Sequence, residues 1–128
     1  MIDFIGADYI YNGLKNNISI TTIVGTSIYN DTVIPVADIS TETINFYDIS
    51  PLFGGQEYFD KRYSIDCRAA SSAVSKNIAE LVFLEFNRNS GDASGKKYFS
   101  RCDIGQTIPP ADSQDVYNTP VTIYLRRK

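Results

Sequence analysis

QEYFDKRYSIDCRAASSAVSKNIAELVFLEFNR, residues 56–88, changes its hydrophobic period once, at Ala70, and that change decides the fold. From Phe59 to Ala69 the residues alternate. Phe59, Lys61, Tyr63, Ile65, Cys67 and Ala69 fall on one side, and Asp60, Arg62, Ser64, Asp66 and Arg68 on the other. Period-two alternation marks a strand with one face in a core and the other in water or against a partner. Lys61 is the one charge on the apolar side. The polar side runs acid, base, serine, acid, base, a pattern that pairs with charges on adjacent strands. Asp66 and Arg68 are therefore cross-strand pairing candidates before they are anything catalytic.

Past Ala70 the spacing becomes helical. Val74, Ile78, Leu81, Val82 and Glu85 recur at i, i+4, i+7, i+8 and i+11, and Ala79, Phe83 and Phe86 widen the stripe. A broad apolar stripe of this kind belongs to a helix lying on a sheet. Ser71 or Ser72 can cap its start by accepting an orphan backbone N–H. Near Asn87 it should stop. Its polar face, Ser75, Lys76 and Glu80, is too thin for a basic recognition surface, so the helix is core and not a reader of DNA.

Outward from this stretch, 128 residues suffice for one domain that buries roughly two-thirds of its unfolded surface. Hydrophobic residues make up 43% and charged residues 21%, which excludes wholesale disorder. No apolar run approaches the ~20 residues needed to span a bilayer. The start, MIDFIGADYIYNG, is acidic and lacks the basic segment of a secretory signal, pointing to folding in a reducing cytosol. Cys67 and Cys102 then read as buried thiols that pack as small hydrophobes, with a disulfide between neighbouring strands as the other reading.

The chain has no histidine. That removes Ser-His-Asp and Cys-His nucleophile activation, histidine acid–base work and most catalytic zinc sites. Glu80 with Glu85 lies at i, i+5 and does not share a helix face. Asp112 with Asp115 sits in a proline-flanked loop. Both pairs read as solvated, and two lone cysteines without a C-x-x-C make no metal site. This reading assigns no catalytic residue, no metal and no cofactor.

In chain order, residues 2–16 form a first helix on Ile5, Tyr9, Ile10 and Leu14, with Asp3 and Asp8 toward its start. ISITTIVG is short and β-branched, and Gly25 introduces a strand at 26–30. DTVIPVADIS is a connection broken by Pro35, and 41–49 alternates as a second strand. The loop 50–57 carries the apolar Leu52 and Phe53 beside a Gly pair; such a Phe more often tucks under its own loop, but by composition these are the best partner-contact candidates. NSGDASG, 89–95, reads as flexible loop chemistry. It lacks the closing Glu of a calcium loop, with Tyr98 at that offset, and the chain has no P-loop. KKYFSRCDIGQTI is a strand, 108–120 a long proline-punctuated loop, and PVTIYLRRK a closing strand that buries Val121, Ile123 and Leu125. The expected fold is α+β, a mostly antiparallel sheet of four or five strands with two helices on one face.

Charge is unevenly distributed along the chain. Residues 1–60 hold eight acids and one base, a net of −7, while residues 61–128 hold seven acids and eleven bases, a net of +4. A compact fold can mix the halves and even out the surface. Alternatively the subunit is polar, acidic on one side and basic on another, and suited to head-to-tail contacts with a copy of itself. A nucleic-acid surface built from Lys96, Lys97, Arg101, Arg126, Arg127 and Lys128 is the third reading, opposed by a pI of 4.8.

A first helix, the segment Val24-Gly25-x-x-Ile28-Tyr29, the strand Arg62-x-x-Ile65-Asp66-Cys67-x-Ala69, a helix and a closing apolar strand resemble, in order and spacing, the tail terminators of long-tailed bacteriophages. The family's proline-rich phrase after its Ile-Tyr segment is represented here by Pro35 alone, and the Arg-Arg-Lys end is atypical. The resemblance implies a virion protein, assembled in the host cytoplasm, that caps the tail tube at the tail–neck junction. It implies a ring of six copies whose partners are itself, the tail tube protein and the head–neck connector. Neither a membrane nor nucleic acid is implied as a partner, beyond nucleic acid passing through the ring lumen. The interface residues this reading selects are Leu52, Phe53, Asp60, Arg62, Asp66, Arg68, Arg126 and Arg127. A different neck, head-completion or minor capsid protein is the alternative, and a small enzyme or host-directed binding module the remote one.

Overall fold

The computed structural model describes residues 4–30, 42–50, 61–93, 95–110 and 116–127. Three helices, α1 (Phe4–Lys15), α2 (Ile18–Val24) and α3 (Ser72–Phe86), are threaded among six strands: β1 (Ile28–Asn30), β2 (Thr43–Asp48), β3 (Lys61–Ala69), β4 (Asn89–Ala93), β5 (Lys96–Ile104) and β6 (Tyr117–Arg127). The strands form one sheet in the order β1-β2-β3-β6-β5-β4. β1 runs parallel to β2, and every other pairing is antiparallel.

The expectation of four or five strands and two helices is overturned, since the sheet is mixed and curled, with six strands and three helices. The additional helix is ISITTIV. Its β-branched residues have modest helix propensity, but its ends are capped. Asn17 accepts from the Ile20 N–H at 3.2 Å, and Gly25, at φ 61°, donates its N–H to the Thr21 carbonyl. Burial of Ile20 and Val24 in the core then outweighs propensity. The additional strand is NSGDA, which pairs with β5 from Asn89↔Ser100 to Ala93↔Lys96 although its composition is that of a loop. Gly91 suits this place because a Cβ there would lie 3.1 Å from the Tyr9 ring.

The core lies between the helices and one face of the sheet. Ile10 and Leu14 of α1, Ile20 of α2 and Ile78, Ala79 and Val82 of α3 meet Ile44, Phe46, Ile65, Cys67, Val121 and Ile123, all fully buried. Ser71 is the N-cap of α3, accepting from the Val74 N–H at 3.2 Å. Within the core two hydroxyl relays satisfy buried groups. Ser75 Oγ donates to the Cys67 carbonyl at 2.7 Å and meets Thr119 Oγ1 at 2.8 Å. Ser100 Oγ donates to the Phe86 carbonyl at 2.6 Å and so accepts from Tyr9 OH at 2.9 Å. Each bond satisfies a group whose burial would otherwise cost about 1–3 kcal/mol.

The helices also account for the curl. α1 touches both edge strands, β1 and β4. Its 12 residues reach ~18 Å, whereas six flat strands would span ~24 Å. The sheet therefore wraps toward α1, and its other face carries no helix among the described residues.

Candidate assembly interface

Strand β3 is central, and the residues that alternate with its core side set the exposed face. Register places Thr43, Arg68 and Asn118 in one row across β2, β3 and β6, and Asn45, Asp66 and Pro120 in the next. Tyr47, Ser64, Thr122 and Asp103 follow, then Arg62, Tyr124 and Arg101, and finally Arg126 beside Phe99. All five rows lie on the helix-free side, and they divide into a covered zone and an open one.

In the covered zone, Arg68 is 6% and Thr43 0% exposed. Asp66 accepts from Tyr47 OH at 3.2 Å and Ser64 Oγ at 3.4 Å, and Asn118 adds a further hydrogen bond. Burial raises the Asp66 pKa, and these donors together with the nearby Arg68 guanidinium offset only part of the rise. Burial also lowers the Arg68 pKa, with Asp66 pulling it back up. Thr43 Oγ1, Asn45 Oδ1 and Asn118 Oδ1 are buried without a hydrogen-bond partner among the described residues.

A prediction follows from the sign of the Asp66 shift. An acid whose folded pKa exceeds its unfolded value supplies stability that is present below the unfolded pKa and lost as pH rises through the folded pKa. Asp66→Asn is therefore expected to melt at or above the wild-type temperature at neutral pH. That advantage should shrink as the pH falls from neutral to the ordinary carboxylate range and be gone below it. Paired thermal melts across that range check it.

The open zone is arginine on aromatic. The Arg62 and Arg101 guanidinium carbons lie 5.2 and 4.7 Å from the centroid of the same Tyr124 ring, and Arg126 lies 5.5 Å from that of Phe99. Arg62 Nε is buried with no acceptor among the described residues. Arg101 also approaches Asp103 at 3.7 Å, with both side chains about half exposed. Lys61, on the other side of β3, pairs with Asp48 at 3.3 Å. The Asp48 carboxyl is held below its usual range because hydrogen bonds from Ser50 and the charge of Lys61 outweigh the upward effect of burial.

Of the residues selected from sequence, Arg62, Asp66, Arg68 and Arg126 share this face, Asp66 and Arg68 in its covered zone. Arg127 is paired with Tyr98 in the register. Leu52, Phe53 and Asp60 lie outside the described residues. Sequence reasoning missed Tyr124 and Phe99, and it counted Arg101 only as part of a nucleic-acid surface. Alternation along β5 and β6 carried the signal, but the register that joins them to Arg62 is a long-range fact.

Elsewhere, a cleft of about 360 Å³ opens between α1, the end of α3 and β4, lined by Asn12, Asn16, Glu85, Asn89 and Asp92 among others. A second, of about 520 Å³, lies between Lys76 and Glu80 of α3 and the Ile104–Thr107 segment. Among the described residues no group of three or more His, Cys, Asp or Glu could hold a metal ion. No helix among them is long and apolar enough to cross a membrane. Both cysteines are free and buried, and burial raises both thiol pKa values, that of Cys102 to about 12.

The architecture has a solved counterpart in the virion of a native gene transfer agent (GTA) particle. A chain of that particle matches over 92% of this chain and 90% of its own length, with a TM-score of 0.62 and 17% identity. At that identity the likeness is one of fold. No family model matches the chain, and no curated protein matches it in sequence.

Proposed function

We propose that this chain is a structural subunit of a phage-like particle, a ring-forming tail terminator that caps the tail tube and joins it to the head–neck connector. The observation that carries the reading is the near-complete fold likeness to a chain of a gene transfer agent virion. The tail-terminator motifs, Val24-Gly25-x-x-Ile28-Tyr29 and Arg62-x-x-Ile65-Asp66-Cys67-x-Ala69, support the finer assignment. Their residues do structural work: Gly25 caps α2, and Ile65 and Cys67 are core.

The role is one of geometry without catalysis. A closed ring made by one repeated contact requires two different, complementary patches per subunit. The helix-free face, with arginines at one end of the sheet, supplies one such patch. Seated on the last ring of a tube, such an assembly stops growth because its far side does not present the tube's own surface.

Native mass spectrometry and electron microscopy of the purified protein, alone and mixed with tail tubes, test the reading. Closed rings of six, formed at high concentration or on tube ends and weakened by added salt, are expected. A chain that stays monomeric and ignores tubes would contradict it.

A further inference from the structure

Strand β4 closes one end of the sheet and, among the described residues, pairs only with β5. In an antiparallel ladder, successive residues turn their backbone N–H and C=O alternately toward the partner strand and away from it. Asn89 Oδ1 accepts from the Ser90 N–H at 2.9 Å, which places Ser90 among the residues turned away. Asp92, two positions on, shares that direction. The Ser90 carbonyl and the Asp92 N–H and carbonyl therefore line the outer edge, and none of them has a backbone partner among the described residues. A row of unpaired donors and acceptors on an edge strand is a template for one further strand.

A cleft runs beside this edge. Ser90, Gly91 and Asp92 line one side of the cleft of about 360 Å³, and Asn12 and Asn16 of α1 line the other. Its volume lies at the low end for binding clefts, so it admits a side chain or two of an incoming chain. Glu85, half-buried at the end of α3, also lines it. One of its carboxylate oxygens accepts from Asn17 Nδ2 at 2.9 Å, a neutral donor, and Glu85 forms no ion pair among the described residues. No lysine or arginine lines the cleft among those residues. A charge-assisted hydrogen bond from an incoming base is stronger than the neutral one already in place.

We propose that the β4 edge and this cleft dock an extended segment of another protein, which adds as a strand and sets a lysine or arginine against Glu85. Backbone chemistry selects the extended conformation, and the carboxylate selects the base. A second copy of this chain fits less well. β1, the strand at the other end of the sheet, is Ile28–Asn30, and neither it nor residues 31–41, 51–60 and 111–115 hold a lysine or arginine. The site stands independently of the tail-terminator reading, under which the partner is a neighbouring component of the particle.

The test titrates the isotope-labelled full chain with an eight-residue peptide of alternating threonine and valine carrying one central lysine, followed by nuclear magnetic resonance. Saturable shifts are expected at Ser90, Gly91, Asp92 and Glu85. In the free protein the Asp92 N–H should exchange with solvent faster than those of Gly91 and Ala93, and the peptide should slow it. Asp92→Pro removes that N–H without touching the ladder to β5, so it should keep the fold and lose the peptide, while Asp92→Asn binds it like wild type. Glu85→Gln, or glutamate in place of the peptide's lysine, should weaken binding about tenfold. The proposal is overturned if Asp92→Pro binds like wild type, if the Asp92 N–H is as protected as its neighbours, or if the glutamate peptide binds as tightly. Shifts at β4 that grow with protein concentration alone would make a second copy the occupant and overturn it as well.

Discussion

Val82→Asp is expected to abolish the cooperative thermal transition. Val82 is fully buried on the face of α3 that packs against the sheet, in the cluster with Ile78, Ala79 and Phe86. A carboxyl placed there without a partner costs several kcal/mol, whether it stays charged or takes up a proton. A domain of this size has only ~5–15 kcal/mol in total. Leu81→Asp should cost less, since Leu81 is partly buried and its head group can reach water. Circular dichroism on heating separates the outcomes. A Val82→Asp protein that melts cooperatively at the wild-type temperature would mean that α3 does not carry the core.

Gly13→Val is expected to lower the melting temperature by roughly 4–12 °C, the equivalent of overpacking by ~1–3 kcal/mol in a domain of this length. A Cβ on Gly13 would lie 2.6 Å from two atoms of the Phe86 ring, which is 1% exposed and packs beside Tyr9 with ring centroids 5.7 Å apart. The ring is held against Tyr9 on one side and borders the cleft between α1 and β4 on another, so it must shift toward that cleft to admit the new side chain. Gly13→Ala should be milder, because alanine returns ~1 kcal/mol of helix propensity against a smaller clash. Combining Gly13→Val with Phe86→Leu should cost less than the sum of the two changes, since the smaller side chain makes room. Strictly additive losses would show that the two residues are not in contact.

Both of these residues sit where periodicity was informative and contact was not. The alternation of β3 and the apolar stripe of α3 are local patterns, imposed by one buried face each, and they could be read from residues 56–88. The helix α2 could not. Its residues favour strands, and what makes it helical is the Asn17 cap, the Gly25 turn and the tie from Asn17 Nδ2 to Glu85 at 2.9 Å, a contact across the fold. Strand β4 was hidden for a similar reason, because an edge strand of Asn, Ser, Gly and Asp has no apolar alternation and exists through its pairing with β5.

The candidate interface divides in the same way. Alternation placed Arg62, Asp66 and Arg68 on one side of β3, but it could not say that Arg68 is covered while Arg62 stacks on Tyr124. The practical consequence is that reversing Arg68 would bury a carboxylate and damage the fold, whereas Arg101 and Arg126 can be reversed on the surface.

The most direct measurement of the proposed role is electron microscopy of the particles made by the source of this chain when its gene is disrupted. A subunit that caps the tube and joins it to the neck leaves, when absent, filled heads unjoined to tails and tubes of uncontrolled length, and supplying the intact chain restores joined particles. Intact particles with tails of normal length in its absence would contradict the account.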